Sequence, residues 1–89
     1  MELEQLKIFC AAAERGSLSR TAAALYISHS TVSRAIASLE REVGAELFFR
    51  DSRGVSLTPA GELMLDGAVR ILNMAEQLRD TVRNSGGKI

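Results

Sequence analysis

The stretch Gly16-Ser17-Leu18-Ser19-Arg20-Thr21-Ala22-Ala23-Ala24-Leu25-Tyr26-Ile27-Ser28-His29-Ser30-Thr31-Val32-Ser33-Arg34-Ala35-Ile36-Ala37-Ser38-Leu39 decides the fold. Gly16 stops one helix, and Ser17 or Ser19 can cap the next, because a side-chain oxygen accepts from the free N–H groups of a first turn. That short helix, about 18–25, is lined with Ala22, Ala23 and Ala24, and small residues allow a second helix to approach closely. Tyr26-Ile27 is a break. Ser28 then caps a third helix, about 29–43, whose apolar positions Val32, Ala35, Ile36, Leu39 and Val43 form a narrow inner stripe before Gly44 ends it. Two helices joined by so tight a turn make a helix-turn-helix. The second helix of such a pair can enter a DNA major groove and bring its N-terminal side chains to the base edges.

Upstream, Leu3, Leu6, Cys10 and Ala13 recur at helical spacing beside Phe9, which predicts a helix over 2–15. Downstream, Leu47-Phe48-Phe49-Arg50 and Val55-Ser56-Leu57 flank the polar turn Asp51-Ser52-Arg53-Gly54 and read as a β-hairpin. Thr58-Pro59 opens a last helix running to about 83, with Thr as N-cap and Pro at the first position, where a missing N–H costs nothing. Met64, Ala68, Ile71, Ala75, Leu78 and Val82 are spaced alternately by four and three residues, a heptad seam across about three heptads. Leu65 and Leu72 widen it. At 1.5 Å per residue the helix is roughly 37 Å long, more than so small a domain can cover. The expected architecture is mainly α: a winged helix-turn-helix (three-helix core plus β-hairpin wing) over 1–58, a long linker or dimerisation helix over 59–83, and a flexible tail over 84–89.

Composition sets the bounds. The chain has 89 residues, 46% of them hydrophobic, which is one small globular domain and a reason to expect oligomerisation. Lys+Arg and Asp+Glu balance at 11 each, so a DNA site must come from where the cations sit rather than from total charge. The single cysteine, Cys10, excludes an internal disulfide and is placed for packing. An acidic N-terminus without an apolar signal core points to a soluble, cytoplasmic protein. No paired carboxylates, Cys-His spacing or Gly-rich phosphate loop suggest an enzyme, and no cofactor is expected. His29 lacks a second His or a suitable Cys, so no metal site is expected either.

The outward face of the third helix offers Ser30, Thr31, Ser33, Arg34 and Ser38, with His29 at its tip. Short hydroxyls do not block approach to the bases, and an arginine can reach a guanine edge or a phosphate. Arg50 and Arg53 of the hairpin can reach phosphates or a minor groove. Arg50 can instead pair with Asp51 or Glu46, and Arg20 either contacts a phosphate or pairs locally. The alternative to a DNA reader is a winged-helix protein-interaction module, favoured by the zero net charge.

From Phe9 to Gly61 the chain resembles the DNA-binding domain of LysR-type bacterial transcriptional regulators. The matches are Leu3-x-x-Leu6-x-x-Phe9, Gly16-Ser17-Leu18-Ser19-Arg20-x-Ala22, Ser28-x-x-x-Val32-Ser33-Arg34-x-Ile36-x-x-Leu39-Glu40, Gly44-x-x-Leu47-Phe48-x-Arg50-x-x-Arg53 and Leu57-Thr58-x-Ala60-Gly61. The resemblance implies a homodimer, or a higher oligomer in a longer chain, on an interrupted inverted repeat of double-stranded DNA. It also implies that the long helices pair antiparallel. His29 stands where the family commonly has Gln. The family carries a C-terminal effector-binding domain after the long helix, so the sequence reads as an excised domain or as an unusually short protein.

Overall fold

The computed structural model describes residues 1–86. In chain order the elements are α1 (Leu3–Arg15), α2 (Leu18–Leu25), α3 (His29–Val43), β1 (Phe48–Asp51), β2 (Gly54–Leu57) and α4 (Pro59–Gly86). The expected caps form. Ser17 Oγ accepts from the Arg20 N–H at 3.1 Å, Ser28 Oγ from the Thr31 N–H at 3.1 Å, and Thr58 Oγ1 from the Gly61 N–H at 2.9 Å. Glu2 stays outside α1, and its N–H is capped by Gln5 Oε1 at 3.1 Å.

The core lies where α1, α2 and α3 meet the hairpin and the first half of α4. Leu6, Phe9, Val32, Ile36, Leu39 and Leu47 are all essentially inaccessible. The Phe9 and Phe48 rings sit 5.2 Å apart in a tilted pair, so α1 holds the base of the wing through an aromatic contact. Cys10 is half-buried against this core, and burial pushes its thiol pKa up. Val43, expected on the inner stripe, lies at the end of α3 and is exposed.

The hairpin is tighter than the sequence suggested. β1 and β2 pair antiparallel from Phe48↔Leu57 to Asp51↔Gly54, leaving a two-residue loop of Ser52 and Arg53. The Arg53 N–H donates to Asp51 Oδ1 at 2.8 Å, a side chain mimicking the backbone turn. Strand alternation sends Phe48 inward and Phe49 outward, so Phe49 is exposed and contributes nothing to the core.

α4 continues through Asn84, Ser85 and Gly86, past the end expected near 83. No proline interrupts it, and each added residue of an established helix gains a backbone hydrogen bond. Asn84–Gly86 are therefore helix rather than tail, while the rest of the tail expected over 84–89 lies outside the described residues. Among the described residues no helix is long and apolar enough to cross a membrane.

Tertiary packing divides the heptad seam in two. Ala68 is buried in its own domain, and Met64, Leu65 and Leu72 pack against the same core, because α1 lies along the first half of α4. Leu63, Ile71, Met74, Leu78 and Val82 are exposed. At 100° per residue these five fall with Gly67 on one stripe, beside the core-facing one rather than along it. The expected dimer set Met64, Ala68, Ile71, Ala75, Leu78 and Val82 therefore mixes two faces. Ala68 is closed to any partner, and Met64 largely so.

Tyr26 ends α2 in a left-handed conformation, with φ 58° and ψ 40°. A non-glycine residue there is strained by roughly 1 kcal/mol or more, and asparagine tolerates the region better. The ring is 95% exposed, so its removal costs no packing. Tyr26→Asn is expected to raise stability by about 0.5–1 kcal/mol, read as a higher midpoint in urea at unchanged slope. An unchanged or lower midpoint would show that the ring compensates for its backbone.

Candidate nucleic-acid interface

The polar face of α3 and the wing tip are brought to the same side of the molecule. His29, Ser17, Ser19, Arg50 and Arg53 line one open cleft between the start of α3, the start of α2 and the hairpin. A second groove, along the far flank of α3, is lined by Thr31, Arg34, Ser38 and Arg41 together with Gln5 of α1. α3 therefore stands as a ridge between two depressions, the shape needed by an element that inserts into a groove.

Local hydrogen bonds hold the first turn of the ridge. Ser28 Oγ lies 3.1 Å from Ser30 Oγ and 2.8 Å from Thr31 Oγ1, and His29 Nδ1 lies 3.4 Å from Ser33 Oγ. These bonds set the hydroxyls and the imidazole in fixed relative positions while Ser30, His29 and Arg34 stay exposed. Preorganisation of this kind lowers the entropy lost on binding.

Ser38 is the exception among the expected contacts. It is half-buried, and its hydroxyl accepts from Gln5 Nε2 at 3.2 Å. This bond ties Ser38 to α1, while the residue also lines the groove beside Arg34. Arg50 has also found a partner that was not expected: its guanidinium lies 4.0 Å from Glu40 Oε1, not beside Glu46. Glu40 Oε2 accepts the Leu47 N–H at 2.8 Å, so this carboxylate ties α3 to the wing base. Arg53 is 91% exposed at its side chain, with Asp51 Oδ2 at 3.8 Å, a contact water and salt weaken readily. Arg20 is exposed on α2.

Arg41, which helical periodicity puts on the same outward face of α3 as Arg34, was not among the expected DNA contacts, yet it lines the same groove as Arg34. Two serines were not expected at the site. Ser17 and Ser19 face the wing across the cleft, and only the folded hairpin puts them there. The charge balance is also local. Between Glu14 and Glu40 there is no carboxylate, while Arg15, Arg20 and Arg34 fall inside that span. A chain of zero net charge thus presents a segment of one sign where the ridge and its flank lie. Among the described residues no group of three His, Cys, Asp or Glu side chains is placed to hold a metal ion.

A three-helix body with an exposed polar third helix and a two-stranded wing beside it defines a winged helix-turn-helix protein. The chain belongs to the LysR family of bacterial regulatory helix-turn-helix proteins, whose model matches residues 3–62. It is 43% identical over 86 residues to the HTH-type transcriptional regulator YofA of Bacillus velezensis, a match covering 97% of this chain and 30% of that protein. The crystal structure of the CbnR DNA-binding domain in complex with DNA is similar at a TM-score of 0.93 and 38% identity, covering 97% of this chain and 99% of that one. The BenM DNA-binding domain in complex with catB site 1 DNA is similar at a TM-score of 0.92 and 34% identity, covering 97% of each chain. The chain spans about a third of the length of the curated relatives it matches.

Proposed function

We propose that the chain is the DNA-binding part of a bacterial transcriptional regulator, acting in the cytoplasm as a reader of sequence and not as an enzyme. Two copies bind an interrupted inverted repeat. In each half-site α3 enters the major groove, and the wing lies on the flanking backbone or minor groove. The observation that carries this reading is the α3 ridge: exposed His29, Ser30 and Arg34 on one face, with Arg53 across the cleft from His29. The bases are read by His29, Ser30, Ser33 and Arg34, while Arg53, Arg20 and Arg41 anchor phosphates. Thr31 supports the first turn through Ser28. Arg50, held by Glu40, contributes mainly to the wing's attachment.

The two copies join through the exposed stripe of α4, namely Leu63, Ile71, Met74, Leu78 and Val82, with the helices antiparallel. A run of exposed large apolar side chains on one helix face marks an interface.

Selection of bound sites from random double-stranded DNA tests the reading, and an inverted repeat is expected. On the selected site Arg34→Ala should cost about 1–3 kcal/mol and relax preference at one base step per half-site. Unchanged affinity would remove Arg34 from the interface. Failure to enrich any sequence would leave the protein-interaction reading in its place.

A further inference from the structure

The tip of the wing is fastened to the turn between α1 and α2 beside a close approach of two glycines, Gly16 and Gly54. The carbonyl oxygen of Gly16 accepts the Val55 N–H at 3.0 Å. A Cβ placed on Gly54 would lie 2.1 Å from that same oxygen, and Gly54 has φ +136°. No L side chain fits there, by space or by backbone conformation. Gly16 itself is different. It needs the left-handed region, at φ +66°, but a Cβ on it would meet only the Val55 oxygen, at an ordinary 3.6 Å.

The hairpin is thus held at two places. At its base Glu40 Oε2 of α3 accepts the Leu47 N–H at 2.8 Å and Phe48 packs on Phe9 of α1. At its tip the Gly16–Val55 bond holds it. Val55 and Leu57 of β2 also pack on the core, and the Gly16–Val55 bond adds the backbone link nearest the loop that carries Arg53. The neighbours in sequence matter here. Ser17, next to Gly16, caps α2 and lines the cleft opposite the wing. Arg53, next to Gly54, is the exposed guanidinium of the wing loop.

We propose that the Gly16–Gly54 contact is a positioning latch: it fixes the span between the outward face of α3 and Arg53, so that one strand of DNA backbone fits the cleft between them. The inference rests on the DNA-binding reading above. Gly54 and Gly16 touch no DNA. They act through Arg53, whose reach onto a phosphate depends on the wing angle.

The test is a double-mutant cycle on the full chain, measured by fluorescence anisotropy on the selected duplex across a series of salt concentrations. Arg53→Ala and Gly54→Ala are each expected to weaken binding about tenfold and to flatten the salt dependence by about one unit of slope. Together they should weaken it by less than about twofold more than either alone, because a misplaced arginine has nothing left to lose. Gly54→Ala combined with Arg34→Ala should instead multiply, as the two act in separate grooves. If Gly54→Ala and Arg53→Ala multiply to about a hundredfold, the glycine acts on folding alone and the latch is refuted. Should Gly54→Ala not melt cooperatively, Val55→Pro takes its place in the same cycle. It removes the N–H given to Gly16 and sets a ring carbon against the same oxygen, so it opens the latch while leaving position 54 and the β1–β2 ladder bonds unchanged. Multiplicative effects there refute the latch equally. Absence of any binding by the unmutated chain would overturn the DNA reading itself, and the latch with it.

Discussion

Leu78→Asp should yield a folded monomer that binds its operator about 10²–10⁴-fold more weakly than the unmutated dimer. The fold is expected to survive because Leu78 is 64% exposed and is not among the side chains packed on the core. The dimer is not. Full burial of a leucine in a pairing stripe contributes about 1.5–3 kcal/mol per copy, and an aspartate in its place must either be desolvated or hold the helices apart. DNA binding then falls for a geometric reason. With two half-site contacts linked, the second forms at the effective concentration set by the first, and a monomer loses that advantage without losing a single DNA contact. Sedimentation velocity at micromolar concentration reads the outcome, with circular dichroism as the check on folding. Met64→Asp provides the contrast, since Met64 packs on its own core and its substitution should destabilise the fold rather than split the dimer. A Leu78→Asp protein that still sediments as a dimer would place the interface elsewhere.

Gly61→Ala should destabilise the domain by at least about 3 kcal/mol, which lowers the melting temperature by about 12 °C or more for a domain of this size. Gly61 is buried in the first turn of α4. A Cβ there would lie 2.1 Å from the Leu47 carbonyl oxygen and 3.0 Å from Leu57 Cδ2. The oxygen belongs to backbone and cannot turn aside. It already accepts the Thr58 N–H at 3.0 Å, while the Thr58 hydroxyl donates to the Glu46 oxygen at 2.7 Å. Relief requires α4 to lift off the wing base, which loosens these bonds and withdraws Met64, Leu65 and Ala68 from α1. Gly67→Ala is the control, because a Cβ at Gly67 meets nothing within 4 Å. On helix propensity alone it should stabilise by up to about 1 kcal/mol. Both substitutions are best compared in the Leu78→Asp monomer, so that pairing does not enter the melting curves. Similar midpoints for the two would show that α4 can shift at its start at little cost.

Much of the molecule was legible in the order of its residues. Ser28 and Thr58 could be assigned as caps, and the cap of α2 narrowed to Ser17 or Ser19, because an N-cap is a local interaction completed within three residues of the chain. The inner stripe Val32, Ala35, Ile36 and Leu39 was equally local, since helical periodicity decides which side chains share a face. His29, Ser30 and Arg34 followed as the opposite face. The hairpin was recognisable from its turn, but its register was set by strand pairing, which brought Asp51 and Gly54 into the ladder.

The order of residues was therefore enough for the identity of the elements and the faces each could offer. Which of two adjacent apolar faces of α4 went to the core depended on where α1 packs. The heptad spacing ran through Met64, Ala68, Ile71 and Leu78 without a break, yet α1 covers Ala68 and leaves Leu78 in the open. Periodicity gives the angle of a side chain about its own helix axis, not the position of another helix along it. The same holds for Ser38, claimed by Gln5, and for Arg50, claimed by Glu40. Those partners lie 33 and 10 residues away in sequence, and contacts at such separations exist only once the chain has closed upon itself.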